Sequence, residues 1–281
     1  MSAGVKALSL WAGVGLIVLL LVLAAIAYGA VPLTARSVID AIGGRGDLMT
    51  IAIVRMLRLP RALLALLVGA GLGMAGAALA IAVALLVARA GGGRSDPRVL
   101  LMAGVIVGAF ANAAIMVLLS NSPPNAVRNA LWWMMGSVAD AGWLTIGWLT
   151  VYVAAGGALL LWFAREIDIL SLGEESAAAL GVDAARSSRN IFLIAALLSA
   201  ATVAAAGLIG FVGLVVPHLV RSMGVRRHRA LIAGSALVGA GLVVAADLVA
   251  RLARPPAELP LGAVTALLGV PFFLVQLRRL S

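Results

Sequence analysis

The side chains able to cut, ligate or carry are scarce in this sequence, and their spacing excludes most chemistry. There is no cysteine, which removes disulfides, thiolate metal sites, iron–sulfur clusters and thiol nucleophiles together. The two histidines, His218 and His228, stand ten residues apart with no carboxylate cluster beside them. No metal site is expected from them, and each is read as structural or solvated. A Walker A loop needs a lysine after its glycines, and the one lysine is Lys6. This chain is therefore not expected to hold ATP or Mg2+ itself. Gly71-Leu-Gly73-Met-Ala-Gly76 spells a dinucleotide fingerprint, yet it lies inside an apolar run with no strand before it, where helix packing is the better reading. No nucleophile elbow is present to begin Ser-His-Asp catalysis. No catalytic residue is assigned, and the chain is not read as an enzyme.

Two segments stand out. The first is polar and runs from Arg165 to Arg189. Within it Ser171 and Glu174 have the spacing of a capping box, Gly181 supplies a stop, and Asp183 can cap a second short helix. Two short helices are predicted there, against the blander reading of an ordinary connecting loop. The second is Gly207-Leu-Ile-Gly210-Phe-Val-Gly213-Leu-Val-Val-Pro217-His-Leu-Val-Arg221. Glycines at every third position followed by Pro217 predict a close-packed, bent helix.

The elements that carry these segments follow from composition. Of 281 residues, 63% are hydrophobic and only 11% charged, with a mean hydropathy of +1.14. A soluble domain carries about 25% charged residues, so the chain reads as an all-α polytopic membrane protein forming one transmembrane domain, 1–281. Cutting at charges and turns leaves apolar runs of about 20 residues or more. They fall at 8–33, 62–88, 99–120, 142–164, 191–220, 230–250 and 261–277, and the fifth is long enough to divide in two. About eight crossings result. Small residues at helical spacing (Gly69 with Gly73, Gly104 with Gly108, Ser235 with Gly239) suit close helix contacts. Asp247, the most nearly buried ionisable group, has Arg251 one turn away as a partner.

The net charge is +10. Few aromatics argue against nucleic acid as its cause, and topology explains it better. With the N-terminus inside, 13 basic residues fall on the inner face and 8 on the outer, which places both termini in the cytoplasm. A secondary transporter driven by ions would need intramembrane carboxylates, which the spans scarcely offer. A purely structural scaffold is the other rival.

The wording of the glycine segment, Gly-Leu-Ile-Gly-Phe-Val-Gly-Leu-Val-Val-Pro-His at 207–218, resembles the signature of type II ABC importer permeases for iron chelates, haem and cobalamin. Leu59-Pro60-Arg61, Trp133-Met134-Met135-Gly136, Leu172-Gly173-Glu174-Glu175-Ser176 with Leu180-Gly181, and Glu258-Leu-Pro-Leu-Gly262 match in the same order. The resemblance implies a bacterial inner-membrane permease moving haem or another iron complex inward from the periplasm, with a cobalamin carrier as the alternative. It also implies a homodimer, two ATP-binding cassette subunits holding ATP and Mg2+, a periplasmic substrate-binding protein, and lipid as the solvent. The 165–189 region, with Ser171, Leu172, Gly173, Glu174, Glu175, Ser176, Leu180 and Gly181, would couple to the ATPase subunit. Arg58, Arg61 and Arg251 would receive acidic residues of the binding protein. Trp132, Trp133, Met134, Met135 and Gly136 would line the outer gate, while Gly207, Gly210, Gly213 and Pro217 would pack and kink. In one respect the chain departs from the family. The resemblance implies about ten spans, and two crossings of about 20 residues each are missing where Ala80 meets Ile81. Either the chain carries an internal deletion or a stretch has been left out of this sequence; the second is expected.

Overall fold

The computed structural model describes residues 3–29, 33–90, 97–253 and 257–278. These are helical, in the order α1 (Ala3–Ala27), α2 (Ala35–Ile42), α3 (Leu48–Ala52), a π-helical turn (Ile53–Arg58), α4 (Leu59–Ala90), α5 (Pro97–Ser120), α6 (Pro124–Met134), α7 (Trp143–Trp162), α8 (Ala164–Leu170), α9 (Glu174–Ala179), α10 (Ala184–Ala206), α11 (Val212–Ser222), α12 (His228–Leu252) and α13 (Leu261–Arg278). Local chemistry sets several starts. Thr34 accepts from the Ser37 amide to cap α2, Asp47 accepts from Thr50 to cap α3, and α6 begins with a proline in its first turn. Five of the described helical stretches are long and apolar enough to cross a membrane, and the shorter apolar helices Val105–Ser120, Val212–Ser222 and Leu261–Phe272 fall where the three other expected crossings lie.

The bundle is organised around α4, against which α12, α10, α11 and α7 pack. The glycines of its false fingerprint explain how. A Cβ on Gly73 would lie 2.1 Å from the Ser235 carbonyl of α12, one on Gly76 would lie 1.9 Å from the Gly213 carbonyl of α11, and one on Gly71 would lie 2.6 Å from the Thr202 methyl of α10. Gly69 and Gly239 face each other, each Cβ position 2.2 Å from the other's carbonyl oxygen. Two of the small-residue pairs read from the sequence are thus the two sides of one helix contact. Gly108, in the third, has nothing within 4 Å of its Cβ position. Around it α5 is exposed, from Val105 through Leu118.

The long apolar run 191–220 is not a bent helix but a broken one. α10 stops at Ala206, residues 207–210 run without helical structure, and α11 starts after Phe211, which takes the left-handed conformation at φ 67°. Gly207 makes the break: its φ is 72°, and a Cβ there would lie 2.0 Å from the Trp133 carbonyl oxygen. Pro217 sits buried within a continuous α11, so the bend does not arise there. With 11 residues, α11 rises only about 16 Å, half of a hydrocarbon core about 30 Å thick. Conversely α4, at 32 residues, runs about 48 Å. It passes through Ala80–Ile81 without interruption.

The helices alternate in direction. At one end lie the α8–α9 elbow and the starts of α10 and α12; at the other lie the end of α1, the start of α4, α6 and the start of α13. Trp11 near the start of α1 lies under Gly234 near the start of α12, which puts the beginning of the chain at the elbow end.

Candidate functional site

At the elbow end, two short helices do form, with different boundaries from those expected. Ser171 is no N-cap: it ends α8, its hydroxyl donating to the Asp168 carbonyl at 2.7 Å. Gly173, at φ 103°, occupies the N-cap of α9 and offers no side chain, so the capping box does not exist. Gly181 does stop α9, at φ 77°, with the Val182 amide reaching back to Ala177. Asp183 accepts from the Ala185 and Arg186 amides, but the helix it caps is the long α10 rather than a second short one. Leu172, Ser176 and Leu180 are exposed along the elbow. Glu174 and Glu175 lie on the first turn of α9, and their side chains fall outside the described residues.

The elbow is pinned to the bundle by polar contacts the sequence did not announce. Ser187 of α10 donates to Glu166 of α8. Asp168 accepts from His228 twice, from the backbone amide at 3.0 Å and from Nδ1 at 2.6 Å, and the other ring nitrogen lies 3.1 Å from Arg221 Nη2. These partners are separated by 21, 60 and 7 residues in the chain. No spacing rule could have paired the first two sets.

At the opposite end the three arginines expected to face a partner are turned inward. Arg58, 7% exposed, donates to the Ile26 and Ala27 carbonyls at 2.9 and 2.7 Å, which closes the C-terminal end of α1. Arg251 donates to the Ala25 and Tyr28 carbonyls, each at 3.2 Å, and pairs with Asp247 at 3.1 Å. Arg61 is clasped on both edges, by Asp247 at 2.8 and 3.0 Å and by Glu258 at 2.8 and 2.9 Å. An exposed basic docking patch built from these three is not what the fold holds. The physical reason is that α1's open carbonyls and two carboxylates claim their donors. The Asp247–Arg251 pair is present as read, but Asp247 is 2% exposed and serves Arg61 as well. Arg61 holds the Glu258 carboxyl below its ordinary 4.5 by hydrogen bonding, with partial burial acting against it.

Beside this clasp is a cavity of about 410 Å³ lined by Asn129, Trp132, Trp133, Gly136, Asp140 and Glu258 among others. Of the residues expected at an outer gate, Trp132, Trp133 and Gly136 line it, whereas the Met135 carbonyl instead accepts from the Gly262 amide. Met134 is half-buried. Gly136, at φ 75°, abuts the Leu208 carbonyl, and its own carbonyl accepts from Leu261. The mouth is thereby tied to the broken crossing and to α13. Gly207 and Gly213 pack as expected, but Gly210 has nothing within 4 Å of its Cβ position and plays no packing part.

The arrangement is a cavity of mixed polar and apolar lining at one end of a helical bundle, a hydrogen-bonded elbow at the other, and a broken crossing between them. That is the fold of an ABC transporter permease. Residues 16–79 and 76–279 match the FecCD transport family, and the chain belongs to it. The two matched pieces meet at 76–79, beside the Ala80–Ile81 junction singled out by sequence. Among relatives, the Fe(3+) dicitrate transport system permease of Escherichia coli is 38% identical over 82% of this chain and 69% of its own length. The cobalamin import system permease of Halobacterium salinarum is 42% identical over 66% of this chain and 50% of its own. The hemin transport system permease of Yersinia pestis is 41% identical over 64% and 54% respectively. The chain thus spans about half the length of the last two. A solved structure described as an inward-facing metal-chelate type ABC transporter superposes with a TM-score of 0.78 at 26% identity, covering 96% of this chain and 99% of that one.

Proposed function

We propose that this chain is the membrane-spanning permease subunit of an ATP-driven importer for metal chelates, carrying haem or another iron complex inward. The observation that carries the reading is the pairing of a mouth and a rigid elbow at opposite ends of one FecCD bundle. Exposed side chains on the elbow suit docking of an ATP-hydrolysing subunit, which would hold ATP and Mg2+ and drive a rigid-body switch of the bundle. The basic residues described at the elbow end, Arg165, Arg186, Arg189, Arg221, Arg226, Arg227 and Arg229, support a cytoplasmic elbow and cytoplasmic termini, with the mouth facing the periplasm of an inner membrane. A substrate-binding protein would deliver cargo there. With Arg58, Arg61 and Arg251 engaged internally, its acidic contacts would fall to exposed basic groups such as Arg36, Arg45 and Arg128. A second copy of the chain would complete the pathway, and the bare face of α5 is the surface that supports this. Cobalamin stays as the second cargo reading, favoured by the Halobacterium salinarum relative.

The test is reconstitution in liposomes with the cognate ATP-hydrolysing and binding proteins. ATP-dependent entry of haemin, ferric dicitrate or cobalamin identifies the cargo. No copurification of an ATP-hydrolysing subunit, together with no entry of any of the three, refutes the reading. Reversing Glu174 and Glu175 to Lys is expected to abolish ATP-driven entry, and unchanged entry would remove the elbow from the docking role.

A further inference from the structure

The cluster at the foot of α12 is more than a helix start. The residue before that helix, Arg227, provides no side-chain cap, and the amide of His228 is satisfied instead by a carboxylate from another element, Asp168 of α8. The same carboxylate oxygen takes the Nδ1 proton of the His228 ring. Arg221, at the end of α11, has only donors to offer, so the other ring nitrogen receives the guanidinium. This requires the neutral imidazole with its proton on Nδ1. His228 is 4% exposed, wedged between elbow and bundle. Three elements are therefore joined through one ring: α8 of the elbow, α11 of the broken crossing, and α12, which packs along the length of α4.

We propose that Asp168, His228 and Arg221 form the link by which the elbow moves α11 and α12 as one body, with His228 as its positioning residue. The proposal rests on the importer reading for what drives the elbow. Two features give the link its leverage. It grips α11 at the end opposite the non-helical 207–210 break, about which a short helix can pivot. It also grips α12 by its N-terminus, where a carboxylate is favoured by the helix dipole. The Glu166–Ser187 contact holds α8 to α10 in the same way, so loss of the ring alone leaves the elbow attached but uncouples it from α11.

The absence of cysteine makes the motion directly measurable. Spin labels are placed through Ala178→Cys on α9 and Ser222→Cys on α11, and their separation is read in the complex with its ATP-hydrolysing partner, with and without ATP. The parent is expected to keep one narrow distance throughout, whereas His228→Leu splits or broadens it once ATP is added. In liposomes, His228→Leu is expected to hydrolyse ATP while haemin entry per ATP falls about tenfold, a typical size for coupling between sites. His228→Asn, which keeps a donor toward Asp168, recovers part of that loss. A purely structural histidine would lower the melting temperature of the variant without changing haemin entry per ATP. Unchanged entry per ATP, or an equally narrow distance in His228→Leu during turnover, overturns the proposal. A parent complex that hydrolyses ATP yet moves neither haemin, ferric dicitrate nor cobalamin refutes the importer reading instead, and the label distance still decides the link.

Discussion

Asp247 illustrates how much one carboxylate can organise. It is 2% exposed, accepts from Arg61 and pairs with Arg251, and so offsets two cations inside the bundle. Asp247→Asn leaves both guanidinia facing a neutral amide, and removing one partner of a buried ion pair costs about 3 to 5 kcal/mol. The expected outcome is a large drop in the melting temperature in detergent. A drop no larger than that of an exposed substitution such as Asp140→Asn contradicts the clasp. Glu258, 43% exposed in its side chain, is the weaker leg. Its carboxyl titrates below 4.5 when folded, so its contribution is complete above that value and is lost as pH falls through the lower folded one. The stability gap between wild type and Glu258→Gln should be flat above about pH 5.5, a unit beyond the ordinary carboxylate value, and close as the solution is acidified. At this scale the sequence revealed the i, i+4 pair of Asp247 and Arg251, because that pairing is local. It did not reveal the partners of Arg58 and Arg61, because these come from α1 and from residues 186 and 197 positions away.

Among the elements, the broken crossing is the one that periodicity misreads. Glycines three apart followed by a proline describe a kinked helix equally well, and only contact with Trp133 decides for a break at Gly207. The two glycines therefore separate cleanly by experiment. Gly207→Ala forces a Cβ against a backbone carbonyl at a positive φ and is expected to destabilise the fold by about 2 kcal/mol or more. Gly210→Ala meets open space and is expected to be nearly silent, within about 0.5 kcal/mol. Unfolding of the two variants in mixed micelles measures both, and similar losses would show that the break is not set at Gly207. The elbow gives the converse lesson. The stop of α9 at Gly181 and the cap at Asp183 were legible, because their turn chemistry is local, although the helix Asp183 caps is the long α10. The boundaries of the short helices were not, because α8 continues from α7 after a single residue, and α9 starts at a bare glycine.

For the whole molecule, the junction inside α4 is the feature of greatest consequence. The family match divides there, and α5, the next helix, is exposed from Val105 to Leu118. Both observations agree with the expectation that two crossings of the family pattern are missing from this sequence at the junction. The residues that pin the elbow all lie beyond residue 165, so binding of an ATP-hydrolysing subunit is expected not to depend on the crossings missing at the junction. The expected result is copurification with that subunit, and its absence from a well-folded preparation would place part of the docking surface in the missing crossings.

By itself the sequence determined the membrane bundle, the family, the helix contacts made by Gly69, Gly73, Ser235 and Gly239, and the position of the junction. All of these depend on local hydropathy, on small residues at helical spacing, or on ordered motifs. The tertiary structure alone decided that the three arginines close helix ends and clasp carboxylates, that the Gly207 segment breaks, and that His228 joins three elements. Those outcomes depend on which groups meet after the helices pack. A buried charge or an open carbonyl must find a partner wherever the fold brings one, and separation along the chain carries no record of that choice.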